Sequence, residues 1–194
     1  MNSLSTRVLP TLALMTAMAA AFTLSLVTPA AAQSKQEVYT ATLIASEGTT
    51  GSSSGRVRID ISSRTTDAET ADLRKAFQSN AKSGYELLRT MSKGFITLEG
   101  QPGRKIEAVM SRSWQRGREL FIVTEHINSK LEKWRGGNAA DYPVSVIRLR
   151  FGGDGAPVNG EVFEAVKLQV SADGFLDVQT GGSNKIILTG LAQQ

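Results

Sequence analysis

The chain predicts an α+β fold. The leading form is a mainly antiparallel, curled β-sheet or partly closed barrel with a pair of short helices packed on one side; a β-sandwich plus helices is the alternative. Three observations predict it. Segments rich in β-branched and aromatic residues recur from Glu37 to Leu191. Gly-containing turns separate most of them, which favours antiparallel neighbours. The apolar period changes from two to helical in one place only, between Thr66 and Met91.

The first strand is expected from Glu37 to Ser46, where β-branched and aromatic side chains dominate. Residues 48–55, Gly and Ser with two Thr, read as a flexible loop. From Gly55 to Ser62, Val57, Ile59 and Ile61 share one face, while Arg56, Arg58 and Asp60 take the other, as in a half-buried strand. Thr66 and Glu69 then have capping-box spacing, followed by Leu73, Ala76 and Phe77. Ser83 and Glu86 have the same spacing, followed by Tyr85, Leu88 and Met91 on one face. Two short helices are therefore expected, separated near residues 80–84. Strand patterns return at residues 95–98, 104–114, 119–127, 144–151, 162–171 and 185–191. Between them lie turn residues such as Gln101-Pro102-Gly103, Asp173-Gly174 and Gly181-Gly182.

The N-terminus has the three parts of a secretory signal peptide. Met1 to Arg7 is short and positively charged; Val8 to Val27 is apolar, broken by Pro10, Thr11, Thr16, Thr23 and Ser25. Ala30 and Ala32 then form a small-residue cleavage pair, so cleavage is expected between Ala32 and Gln33. An uncleaved anchor is the rival, because about 20 apolar residues can span a bilayer. The Ala- and Thr-rich core and the clear cleavage site favour removal. Residues 33–194 are then one strand-rich domain, with the periplasm or the extracellular medium as its compartment and no integral membrane anchor left. There is no Cys, which excludes thiol nucleophiles, Cys–zinc sites and lipoprotein anchors. The net charge of +4 is compatible with anionic partners and too weak to point to nucleic acid.

Motifs with chemistry are few. His126 is the only histidine, on the strand face of Leu120, Ile122 and Thr124. A hydrolase would need it beside a positioned Ser or a carboxylate, and no G-x-S-x-G is present. Zinc would need further ligands that one His and no Cys do not supply. Gly152-Gly153-Asp154-Gly155 lacks the P-loop pattern and reads as a hairpin connection. Asp141-Tyr142-Pro143 has a full account as a turn before a strand. Glu119, Glu125, Asp141 and Asp154 have no spacing that pairs them.

The most basic stretch after the leader sets Arg112, Arg116 and Arg118 around Trp114. Lys130, Lys133, Trp134 and Arg135 form a second basic–aromatic group. Guanidiniums beside an indole suit phosphate, lipid head groups or sugars; the plain alternative is a solvated turn.

The Gly55–Ile61 strand, the helix start at Thr66, Lys93-Gly94-Phe95-Ile96, the two strands after it, Asp141-Tyr142-Pro143 and Glu164 to Leu168 together resemble a group of small exported bacterial proteins of the acidobacterial type. The group is uncharacterised, so the resemblance implies export and a single domain, and no functional residue. The expectation is a non-enzymatic binding module for a small apolar or anionic ligand of the envelope, such as a lipid, small metabolite or anionic component. Its ligand-binding residues would be Arg112, Trp114, Arg116, Arg118 and Trp134, with no cofactor, metal or catalytic residue. The alternatives are a structural or interaction protein of the envelope, or a hydrolase using His126.

Overall fold

The computed structural model describes residues 36–47, 51–115, 117–125, 144–171, 176–180 and 186–194. These form, in order, β1 (Glu37–Glu47), β2 (Gly51–Ile61), α1 (Asp67–Ser79), α2 (Ala81–Thr90), β3 (Gly94–Leu98), β4 (Arg104–Trp114), β5 (Gly117–Thr124), β6 (Val144–Phe151), β7 (Pro157–Val170), β8 (Leu176–Thr180) and β9 (Ile186–Gln193). The sheet runs β6-β5-β4-β3-β2-β1-β9-β7-β8, and β6 also pairs with β7. Eight strands therefore close into an antiparallel barrel, and a closed ring excludes the sandwich. Val162 faces Ile147 of β6 and Ile186 of β9, while Val166 faces Val144 of β6 and Thr180 of β8. Hence β8 and β9 lie along the same edge of β7, and β8 extends the sheet beyond the ring.

Alternation sorts the side chains into two apolar clusters. Tyr39, Val57, Ile59, Ile61, Ile96, Leu120, Ile122, Leu149 and Phe151 fill the barrel interior with their neighbours. Arg56 and Arg58 point the other way and are exposed. The second cluster lies on the outer wall. Leu73, Phe77, Leu88 and Met91 of the helical segment cover Ala108, Val123, Val146, Val166, Leu168 and Leu176. Burying each Leu, Ile or Phe contributes about 1.5–3 kcal/mol, so the helix pair stabilises the wall it covers.

The helices differ in one respect from their sequence signals. The box at Thr66 and Glu69 forms, with reciprocal hydrogen bonds. The box at Ser83 and Glu86 does not. Asn80 closes α1 and opens α2, its side chain accepting from the Ser83 N–H at 2.8 Å. Asn competes well for an N-cap, so the break is one residue wide.

The expected loop at 48–55 is mostly strand. Positions 51–55 pair with 43–47 of β1. A Gly/Ser sequence carries no apolar alternation, but a neighbour's main chain still completes its ladder. β7 is longer than its apolar pattern, starting at Pro157, a position a strand tolerates because nothing is asked of the missing N–H. No strand is expected at 176–180, although Leu176 and Val178 alternate with Asp177 and Gln179; these residues form β8 by pairing with Val166–Val170. Residues 152–156 make the expected hairpin connection, with Gly155 at φ 79° and the Ala156 N–H donating to Asp154 Oδ1.

Gly84 fixes how α1 meets α2. A Cβ there would lie 2.4 Å from the Phe77 ring, and Phe77 stacks edge-on against Tyr85 at 5.1 Å. Gly84→Ala should gain up to about 1 kcal/mol of helix propensity and lose about 1–3 kcal/mol to overpacking. A net fall in the urea midpoint is expected; a rise would show that the helices part without cost.

Candidate functional site

β3 is too short to cover β4. It pairs with Arg104, Lys105 and Ile106 only. One residue later β4 bulges: Ile106 faces Thr124 and Ala108 faces Val123, leaving Glu107 as the extra residue. Below the bulge, residues 62–65 take over the edge. The Ser62 N–H donates to the Lys93 carbonyl at 2.9 Å, and the Lys93 N–H to the Ile106 carbonyl at 2.7 Å. The Thr65 N–H donates to the Val109 carbonyl, and the Val109 N–H returns to Thr65 Oγ1 at 2.8 Å. The chain then enters α1, so the first two turns of that helix stand over the outer wall of β4 and β5.

A cleft of about 330 Å³ lies between them. Its apolar floor is Met110, Phe121 and Leu176, Thr65 and Thr70 line it beside α1, and Val109 and Ser111 border it on β4. Arg64, Arg74 and Arg112 reach it from three separate segments, against one carboxylate, Asp67. Arg64 is bidentate to Glu37, at 2.7 and 3.0 Å. Burial works to raise the Glu37 pKa, but the hydrogen bonds from Arg64 and Tyr39 outweigh it and hold the carboxyl below its ordinary value. Tyr39 is pushed up to about 12 by burial and by Glu37. Arg112 lies 4.5 Å over the Phe121 ring, and its Nε donates to Glu119 Oε2 at 3.0 Å. The Arg74 Nε is buried with no hydrogen-bond partner among the described residues.

Among the described residues, those named from the sequence do not converge as one patch. Arg112 and Trp114 face the outer wall, where Arg150 lies 4.8 Å over the Trp114 ring. Arg150 also donates to Glu119 Oε1 at 2.6 Å, so the fully buried Glu119 is clamped from both neighbouring strands. Burial raises its pKa, the two arginines lower it more, and the net shift is downward. Arg148 repeats the pattern one row along, bonded to Glu161 and 4.8 Å over Phe163. Arg118 turns inward instead and sits 4.3 Å over the ring of the interior Phe151. Of the three that are described, Arg112 alone lines the cleft. Arg116, Trp134 and His126 lie outside the described residues, as do Asp141, Tyr142 and Pro143.

Arg64 and Arg74 were missed by sequence reasoning, which looked for clustered charge. A signal for Arg74 exists: Asp67, Thr70 and Arg74 are spaced i, i+3, i+7, one stripe beside the buried Leu73 and Phe77. Two buried polar groups were also missed. Ser145 Oγ donates to Glu164 Oε2 at 3.0 Å inside the barrel wall. Glu107 is fully buried, and neither carboxylate oxygen has a hydrogen-bond partner among the described residues. Among the described residues no cluster of three metal-ligating side chains occurs. The chain matches no protein-family model, no curated protein and no solved structure.

Glu107 gives a pH prediction. Burial, helped by the charge of Glu125 and opposed by Lys105 and Arg89, raises its pKa from 4.5 to about 7. The folded state therefore holds this proton more tightly than the unfolded chain. Its stabilising contribution is complete below pH 4.5 and is lost as pH rises through 7, at most about 3 kcal/mol. The urea midpoint should fall between pH 5 and pH 8, and Glu107→Gln should flatten that fall. An unchanged slope in the variant would show that Glu107 ionises freely.

Proposed function

We propose that the protein is a non-enzymatic binding module for an anionic ligand with an apolar portion, held in the cleft between α1 and the outer wall of β4 and β5. One observation carries this: guanidiniums from the 62–65 segment, α1 and β4 converge over an apolar floor. Guanidinium forks suit carboxylate and phosphate, and a low-dielectric floor strengthens each such bond. A few polar groups over apolar walls is the ordinary make-up of a small-ligand site. The anionic alternative is favoured over a purely apolar ligand inside the barrel, because the described interior side chains pack against one another as one apolar cluster. The signal-peptide pattern of residues 1–32 supports action outside the cytoplasm, in the periplasm or the medium.

Titration calorimetry with inorganic phosphate and hexyl phosphate tests this. Hexyl phosphate should bind more tightly, because the floor takes its chain. Arg74→Gln should weaken it roughly tenfold or more, as expected for a hydrogen bond to a charged group. Affinity should fall as salt rises. Equal affinity in the parent, Arg74→Gln and Arg112→Gln proteins would remove the cleft as the site.

A further inference from the structure

The cleft lies along an unfinished strand edge. In an antiparallel ladder, successive residues turn their N–H and C=O groups to opposite edges. Val109 gives both of its groups to Thr65. Ser111 and Ser113 share its parity, so their main-chain groups also point away from β5. Met110, Arg112 and Trp114 point toward it, which agrees with Trp114 closing the hairpin opposite Gly117. Among the described residues, β3 ends its pairing at Ile106 and Thr65 reaches only Val109. Ser111 and Ser113 are exposed, and no described strand pairs with the edge to which their N–H and C=O groups turn. Edges of this kind are normally blocked by Pro, a bulge or Lys. This one has small hydroxyl side chains instead, and the bulge at Glu107 lies above it.

We infer that the ligand of the cleft is an extended polypeptide segment with acidic side chains at alternate positions, which adds as a strand to the Ser111–Ser113 edge of β4. The inference rests on the cleft being the binding site. Main-chain hydrogen bonds supply the attachment, and the arginines supply the selection. Side chains on one face of the added strand stand beside Arg112 on the outer wall, facing α1 and Arg74. Successive residues on that face are about 7 Å apart, so alternation is the matching spacing. Pairing β4 with a second copy of itself would bring like charges together, because Arg112 lies on the same edge segment. An acidic partner meets complementary charge.

Fluorescence anisotropy with a labelled eight-residue peptide of alternating Glu and Val decides this. The parent peptide should bind the folded chain. N-methylating every second backbone amide, on whichever edge faces β4, should weaken it at least tenfold, since each lost bond also leaves a steric block. A peptide with Gln for Glu should lose affinity to a similar degree. Ser111→Pro removes an N–H that β5 does not use, and should abolish peptide binding without shifting the urea midpoint. If Ser111→Pro unfolds, the N-methylated peptides still decide. Equal binding by both N-methylated registers would overturn strand addition. Failure of every peptide while hexyl phosphate still binds would do the same and leave the anion site standing. Failure of peptide and hexyl phosphate together would overturn both.

Discussion

The short third strand is the constraint on which the rest depends. Five residues of β3 are enough to join β2 to the upper part of β4, and too few to follow β4 downward. The barrel must complete that side by other means. It does so with residues 62–65, whose Thr65 supplies both a donor and an acceptor to Val109. Because this segment leads directly into α1, the repair also sets where the helices start. They then fold across the outer wall and not away from it. The same repair delivers Arg64 to one rim of the cleft and leaves Ser111 and Ser113 beyond its reach.

Two buried glutamates on neighbouring strands show how context decides the fate of one residue type. Glu119 and Glu107 are both inaccessible to solvent. Glu119 sits in a register row with Arg112 and Arg150, and each oxygen accepts a guanidinium hydrogen bond. It stays ionised, and the row helps fix the register of three strands. Glu107 sits in the bulge, where the extra residue shifts it out of such a row. Its nearest charges, Lys105, Arg89 and Glu125, act on it without a hydrogen bond. The bulge that lets β4 leave β3 thus also strands a carboxylate under the helix pair.

Much of the fold was legible, because alternation is a local property. The split between Val57, Ile59, Ile61 and Arg56, Arg58, Asp60 is the one observed, and the 104–114 and 144–151 strands have their expected bounds. The capping box at Thr66 was legible because its two partners are three residues apart. Barrel closure was not, since it depends on β1 meeting β9 and β6 meeting β7 across the chain. The Gly/Ser start of β2 was invisible for a related reason: a main-chain partner, and no side-chain pattern, makes it a strand; the alternation of Leu176 and Val178 in β8 was there but spans only five residues. The site was the least legible part. Arg112 was found through its basic neighbourhood, yet Trp114 shares its face but stands farther along the strand under Arg150, and Arg118, opposite Ser113 on β5, faces inward. Arg64 and Arg74 come from other segments, and only the 62–65 crossing brings them to Arg112.

The central claim, that β4 has an open lower edge beside the arginine cleft, is tested most directly by amide hydrogen exchange followed residue by residue by NMR. Met110 and Arg112 bond to β5, and Val109 to Thr65, so these three amides should be strongly protected. The Ser111 and Ser113 amides should exchange orders of magnitude faster, giving an alternating pattern along one strand. Protection of Ser111 and Ser113 equal to that of Met110 and Arg112 would mean that the edge is already occupied, and would contradict the account.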